Sequence, residues 1–234
     1  ASWGEVSAGD QTPEPDSTAD ASASQLYFAA RTINTRSTMP VAAEAVTAEG
    51  RALHVIQFAG PIQDSWLLAV KATGAEPIHY IANFGYLVWA DQSARQQLDQ
   101  MTVTSSVLKY SAPYSADLRL DPQLVQKETK SGSQDVLTIT IQMLRHENDG
   151  RTKRIVDDLA VERLSAWEPV LKYQNARVSI RSSSLDLIRN LADVVWIEAY
   201  EAPELQDEKQ AQILAGNMNS QQSEPEGPGY LSWL

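Results

Sequence analysis

The sequence predicts an α+β chain in which one arrangement of strands and helices is built twice, and three observations carry that prediction. Strand-period and helix-period segments follow one another in the order β-α-β-β-α-β, and then the order repeats. Equivalent residues of the two stretches keep a fixed step of 90 positions, visible at its end as "YSAP" (110–113) against "YEAP" (200–203). Length differences between the copies fall in loops, where a duplicated fold tolerates them.

In the first copy, "LHVIQFAG" (53–60) alternates and is rich in β-branched and aromatic residues, so it reads as a strand. "DSWLLAVKATGA" (64–75) places Trp66, Leu67 and Val70 at helical spacing and stops at Gly74, a helix-ending residue. "PIHYIA" and "GYLVWAD" are two short strands joined by a turn at Asn83–Gly85. "SARQQLDQM" (93–101) opens with Ser93 and Gln96 at capping-box spacing and aligns Leu98 with Met101 on one face. "SSVLKY" (105–110) closes the copy as a strand.

The second copy starts with the strongly alternating strand "DVLTITIQML" (135–144). "RTKRIVDDLAVERL" (151–164) is predicted helical throughout, with Ile155, Leu159 and Leu164 along one side. "EPVLKYQ" and "ARVSIRS" read as strands, "SSLDLIRNL" (183–191) as a helix opening with Ser183 and Asp186, and "VVWIEAY" (194–200) as the closing strand. The step of 90 relates Ser93 to Ser183, Gln96 to Asp186, Leu98 to Ile188, Met101 to Leu191, Val88 to Val178, Ala90 to Ile180, Val107 to Ile197 and Tyr110 to Tyr200. Two tandem ferredoxin-like domains are therefore expected. Each is a four-stranded antiparallel sheet with both helices on one face and the other face left open as a working surface.

The expected organisation is an acidic head over 1–24, a first domain with an extended lead-in strand over 25–119, a linker over 120–134, a second domain over 135–205 and an extended tail over 206–234. The head holds five acidic and no basic residues and little to bury, the composition of a disordered segment. The tail is rich in Pro and Gly yet finishes on "YLSWL", an apolar ending unusual for a solvated segment.

Composition narrows the chemistry. With no cysteine in 234 residues, disulfides and thiolate metal sites are excluded. A net charge of −11 argues against binding a phosphate backbone, so no nucleic-acid partner is expected. No run approaches the roughly 18 apolar residues of a membrane span, so no membrane partner is expected either.

No catalytic residue is expected. His54 and His79 lie in strands and His146 in a polar loop, without the spacing of a metal site, and strand histidines are most often packed ones. Serines lack a nucleophile-elbow context, and "SGSQ" (131–134) reads as a flexible turn. Asp157 and Asp158 sit near Lys153 and Arg154 on a solvated helix face. "HENDG" (146–150) lacks the alternating acids and distal glutamate of a calcium loop. Trp66, Trp89 and Trp196 read as core residues. No cofactor and no metal is expected, and a binding module fits better than a catalyst.

Two segments carry a resemblance. "HVIQFAGPIQDSWLLAVKATGAEPIHYIANFGYLVWAD" followed by "VLKYSAPYSADLRLDPQL" resembles the amino-terminal region of large bacterial subtilisin-like serine proteases. "VVWIEAYEAPELQDEKQAQILAGNMN" is similar to the stretch just before their catalytic domain. The likeness spans roughly residues 25–234 and rests on the ordered set of elements more than on an invariant motif. It implies a tandem, secreted propeptide that assists folding of the catalytic domain and blocks its cleft for a time, the triad lying outside this chain. The implied partner is the cognate subtilisin-like catalytic domain, with the second copy as the docking unit because it adjoins the tail. Leu231, Ser232, Trp233 and Leu234 would then lie in the cleft as an added strand. Equally open is that "GPGYLSWL" begins the catalytic domain, with the cut within 206–223. Two other functions stay open, a paired ferredoxin-like module regulated by a small molecule and a free-standing secreted protease inhibitor.

Overall fold

A computed structural model of the chain describes residues 24–37, 50–201 and 221. The expected head (1–24, apart from Ser24) and nearly all of the expected tail, with Leu231, Ser232, Trp233 and Leu234, lie outside the described residues. What is described is α+β, with antiparallel sheets and five α-helices.

Chain entry differs from expectation. In place of one lead-in strand, Gln25–Tyr27 (β1) and Thr32–Asn34 (β2) form a hairpin, closed by the Phe28 N–H donating to the Arg31 carbonyl at 3.1 Å. One apolar side chain per strand, Leu26 and Ile33, points into the protein and is buried. That single apolar side gives the short ribbon something to pack on, without which an isolated hairpin is marginal in water.

The first sheet follows the predicted order. Ala52–Phe58 (β3), Glu76–Ile81 (β4), Gly85–Ala90 (β5) and Leu108–Pro113 (β6) pair antiparallel in the spatial order β4-β5-β3-β6. The β4–β5 turn places Asn83 and Phe84 at φ 67° and 63°, the left-handed geometry of a tight hairpin. Two helices, Asp64–Ala72 (α1) and Gln92–Thr104 (α2), pack Val70, Ala94 and Leu98 on Ile56, Phe58, Val88, Ala90 and Leu108. The cap of α2 is Asp91, accepting from the Ala94 N–H at 2.8 Å, in place of the predicted Ser93. An Asp one residue before the run of helix formers competes well for that position.

Contrary to expectation, the opposite face of this sheet is closed. Leu53, Val55, Leu87, Trp89, Tyr110 and Ala112 form one cluster with Leu26 and Ile33 of the hairpin and with Leu144 and Val195 of the second copy. Every residue of β3 is consequently buried. Gly85 permits the hairpin's approach, because a Cβ there would lie 2.6 Å from Leu26 Cδ2. A polar anchor fixes it: Thr35 Oγ1 donates to Gln57 Oε1 at 2.8 Å, and Gln57 Nε2 donates to the Asn83 carbonyl at 2.8 Å.

The segment 120–134 is structured. Pro122–Lys130 (α3) starts with Asp121 accepting from the Gln123 N–H at 2.6 Å and with Pro at its first position. Leu120 and Leu124 are buried in the second core, and Leu120 bridges Ile197 in parallel. These contacts make the segment from Leu120 onward part of the second copy's packing.

The second sheet is assembled from Val136–Leu144 (β7), Ala160–Arg163 (β8), Glu168–Val170 (β9), Tyr173–Arg181 (β10) and Val194–Ala199 (β11). Its order is β11-β7-β10-β8, with β9 also pairing β10. The helices Gly150–Leu159 (α4) and Leu185–Arg189 (α5) close one face. Here the predicted helix over 151–164 is corrected: it ends at Leu159, and "AVER" turns out as strand β8 against β10, with Arg163 opposite Val178. Pairing with β10 outweighs the local helical pattern of these four residues. Equivalence at a step of 90 shows in burial: Val88 and Val178, Ala90 and Ile180, and Leu98 and Ile188 are each fully buried beneath the helices of their own sheet.

Both sheets belong to one compact unit ending at Ala199. Arg119 bolts them together: Nε and Nη2 donate to the Tyr114 carbonyl at 3.2 and 2.7 Å, while Nη1 donates to the Leu191 carbonyl. The Tyr114 hydroxyl donates onward to the Val195 carbonyl at 3.1 Å. Burial pushes the guanidinium down to about 10 and the Tyr114 phenol up to about 12, so at neutral pH the first is charged and the second is not.

Candidate functional site

Strand alternation splits the second sheet into two chemically distinct faces. On β7, Leu137, Ile139, Ile141 and Met143 turn toward the helices, which leaves Thr138, Thr140 and Gln142 on the other side. On β10, Ala176, Val178 and Ile180 are buried beneath the helices, and Asn175, Arg177 and Ser179 share the opposite face, where Ser179 too is buried. On β11, Ile197 is buried while Trp196 and Glu198 face away.

Register turns these residues into rows. Trp196, Gln142 and Asn175 lie side by side across three strands, and Glu198, Thr140 and Arg177 form the next row. Beyond them, Thr138 stands opposite Ser179, which in turn stands opposite Glu162. Gln142 Nε2 donates to Asn175 Oδ1 at 3.2 Å, the Thr138 and Ser179 hydroxyls are 3.2 Å apart, and Trp196 Nε1 donates to Glu198 Oε2 at 3.3 Å. Two of these bonds cross between β7 and β10 and the third lies along β11, and together they order the polar side chains before anything binds.

At one end the same face becomes apolar, and there Leu144, Tyr173 and Val195 pack on the first sheet's cluster. The polar remainder carries no apolar cluster among the described residues. Of the two faces expected to be open, the first sheet's is closed, and the polar part of the second sheet's has no covering element among the described residues. This stretch is the candidate site: polar, of mixed charge, with one half-buried aromatic ring at Trp196.

The three histidines are structural in setting. His54 is buried beneath α2, with Nε2 2.7 Å from Ser111 Oγ, and the Ser111 hydroxyl donates to Asp99 Oδ1 at 2.7 Å. Sequence reading missed this trio, whose only signal was a polar residue at a helix-facing position of β3. The chemistry runs opposite to that of a nucleophilic serine. The serine proton goes to Asp99, so His54 is the donor to Ser111, and His54 Nδ1 is left buried without a partner. Burial lowers the His54 pKa; burial alone would raise the Asp99 carboxyl, but bonds from His54 and Ser111 hold it below the usual range. The trio cross-links β3, β6 and α2.

His146 Nε2 lies 2.9 Å from Asp193 Oδ2, and Thr152 donates to the other oxygen of Asp193 at 2.6 Å. That network ties the "HENDG" loop to the turn before β11. Asp149 pairs with Lys153 at 3.0 Å and accepts from Gln174, and no group of three potential ligands gathers around a metal position among the described residues. His79 Nδ1 meets the Tyr173 hydroxyl at 2.6 Å across the junction of the sheets, and burial lowers its pKa.

The profile of a family described as a domain of unknown function, DUF8729, matches residues 8–111. The matched stretch covers less than half of the 234 residues and takes in the hairpin and the first sheet as far as β6. No curated protein and no solved structure matches the chain.

Proposed function

We propose that the chain is a non-catalytic prodomain of a secreted subtilisin-like serine protease, built of two tandem ferredoxin-like units. In this reading the second unit docks on the catalytic domain through the polar face of β7, β10 and β11. One observation carries the proposal. Only the second sheet keeps a pre-ordered, uncovered face among the described residues, and that sheet adjoins the carboxyl-terminal segment. The strand orders support the fold assignment: the first sheet runs fourth, first, third, second in chain order, the order of a split β-α-β unit, and the second does the same once the extra short strand β9 is set aside.

In this mechanism the second sheet lies on surface helices of the catalytic domain and fixes their relative position while that domain folds. The segment after residue 201 then extends into the substrate cleft, where main-chain bonds supply affinity and alternate side chains supply specificity. Tethering raises the effective concentration of that segment to about millimolar, so weak contacts fill the cleft. The first unit acts as a brace, since its own non-helical face is occupied by the hairpin and by the second unit.

The test is a mixing experiment with the mature catalytic domain encoded downstream of this chain. Slow, tight loss of peptidase activity and faster refolding of the denatured catalytic domain are expected. Thr140→Arg combined with Asn175→Arg, on the open face, should abolish both effects. Val103→Arg, at an exposed position on α2, should leave both intact. Absence of inhibition and of a complex with the unmodified chain refutes the proposal. Inhibition that survives the double substitution refutes the assigned face.

A further inference from the structure

A concave site lies where the two sheets meet. Its volume is about 250 Å³, and its walls come from both copies: Glu76 and Trp89 from the first, Leu144, Arg145, His146, Leu171 and Lys172 from the second. In a protein of net charge −11 this spot is locally positive, since Arg145 and Lys172 outnumber Glu76. Behind the wall, His146 Nε2 and Asp193 Oδ2 pair with each other at 2.9 Å.

The charged groups are loosely held. Lys172 Nζ and Glu76 Oε1 stand 4.0 Å apart, and Arg145 Nη1 makes a long bond of 3.3 Å to the Leu171 carbonyl. The rest of the wall is apolar and aromatic, with the Trp89 and His146 rings 5.0 Å apart and tilted by 40°. Two exposed cationic side chains against one exposed carboxylate, a guanidinium with fork geometry and an apolar wall together select for an anionic carboxylate carrying an apolar body.

We propose that the cleft between the sheets binds a small organic monocarboxylate, with its carboxylate on Arg145 and Lys172 and its apolar body against Trp89, Leu144 and Leu171. Both copies line the cleft, so occupancy ties the first sheet to the second and raises the stability of their junction by mass action. This site is separate from the polar face of β7, β10 and β11.

The probe is benzoate, titrated into the full chain while tryptophan fluorescence and thermal unfolding are followed. Saturable binding with a Kd of about 1–10 mM is expected, the range for a shallow site with one charged anchor. Arg145→Gln should weaken it at least about tenfold, the worth of one charge-assisted bond. Leu171→Glu, which places a negative charge at an exposed position of the wall, should do the same. Both positions are exposed, so unfolding of the ligand-free variants should match the parent. Benzamide, of the same shape without charge, should not bind. No saturation with benzoate overturns the site. Equal binding of benzamide, or of inorganic phosphate, overturns the ligand class, and unchanged affinity in both variants overturns its placement.

Discussion

Replacing Arg119 with leucine should destabilise the chain by about 2 kcal/mol, even though leucine covers much of the same apolar stem. Arg119 is 3% exposed and serves two carbonyls, those of Tyr114 and Leu191, with three donors. Orphaning the Tyr114 carbonyl costs about 1–3 kcal/mol, and losing the charge-assisted bond to the Leu191 carbonyl, which keeps the Val194 N–H at 3.3 Å, costs about 1.5–3 kcal/mol. Losing the guanidinium over the Tyr114 ring, at 5.2 Å, costs about 1 kcal/mol more. Against this stands the relief of burying no charge. The fall of the guanidinium from 12.5 to about 10 values that relief at about 3 kcal/mol, taking about 1.4 kcal/mol for each unit. Mid-range values leave the loss in excess. The assay is equilibrium urea unfolding followed by tryptophan fluorescence, with hydrogen exchange to locate the damage. Because Tyr114 closes the first sheet and Leu191 precedes β11, exchange should rise on both sides of the junction and the transition should broaden. An unchanged or raised midpoint would refute the reasoning, for it would mean that water or a small backbone shift satisfies the carbonyls.

Acidification below about pH 6.5 should destabilise the fold. His54 and His79 are held neutral by burial, so the unfolded chain takes up protons first; their contribution is complete above the unfolded pKa and is lost as pH falls. Urea midpoints at pH 7.5 and 5.5 should differ, and His54→Gln should flatten the dependence by up to about 1.4 kcal/mol for each pH unit. Gly85→Ala should cost about 1–3 kcal/mol, because the new methyl meets Leu26 and Ile81, and exchange should rise in residues 25–34 while α1 stays protected. Leu98→Ala and Ile188→Ala should each cost about 2–5 kcal/mol, with exchange rising in the first sheet for one and in the second for the other. A pattern shared by both variants would mean that the two helix-facing cores do not open separately.

The elements with a strong period were legible, among them β3, α1, the β4–β5 hairpin and β7, along with the step of 90; "EPVLKYQ", expected as one strand, instead breaks at Leu171 into β9 and the start of β10, which continues through "ARVSIR". Local pattern failed where partners decide. "AVER" has no helix-breaking residue, and it is a strand because β10 needs a neighbour at that edge. The hairpin at 25–34 was hidden because each of its strands offers only one buried apolar residue, too few to show a period. Helix α3, by contrast, could have been found. Asp121 before Pro122 and a run of helix formers up to Lys130 are start signals, obscured by the charge and polarity that made the segment look like a spacer. As for the candidate face, its residues follow from the alternation of "VLTITIQML" once the helices are assigned to one side.

That alternation also explains why the two copies differ in what they leave uncovered. On the positions of the first sheet that point away from its helices stand Leu53, Val55, Leu87, Trp89, Tyr110 and Ala112; the corresponding side of the second carries Thr138, Thr140, Gln142, Asn175, Arg177 and Ser179. An apolar sheet face left in water would invite association, so the first copy requires a cover, and the hairpin and the Leu144–Val195 end of the second copy supply it. The second needs none, since its side chains are already paired across strands or solvated. The difference was written in the two opening strands: "ALHVIQF" is buried from end to end, as a strand covered on both faces must be, while "VLTITIQML" alternates, as a strand with one wet face does. Reversing the chemistry should therefore reverse the behaviour. Changing Thr138, Thr140 and Gln142 together to valine should make the chain self-associate at micromolar concentration in sedimentation while leaving its monomeric unfolding midpoint within about 1 kcal/mol. A triple variant that stays monomeric would show that this face is already covered, and the docking surface would have to be sought elsewhere.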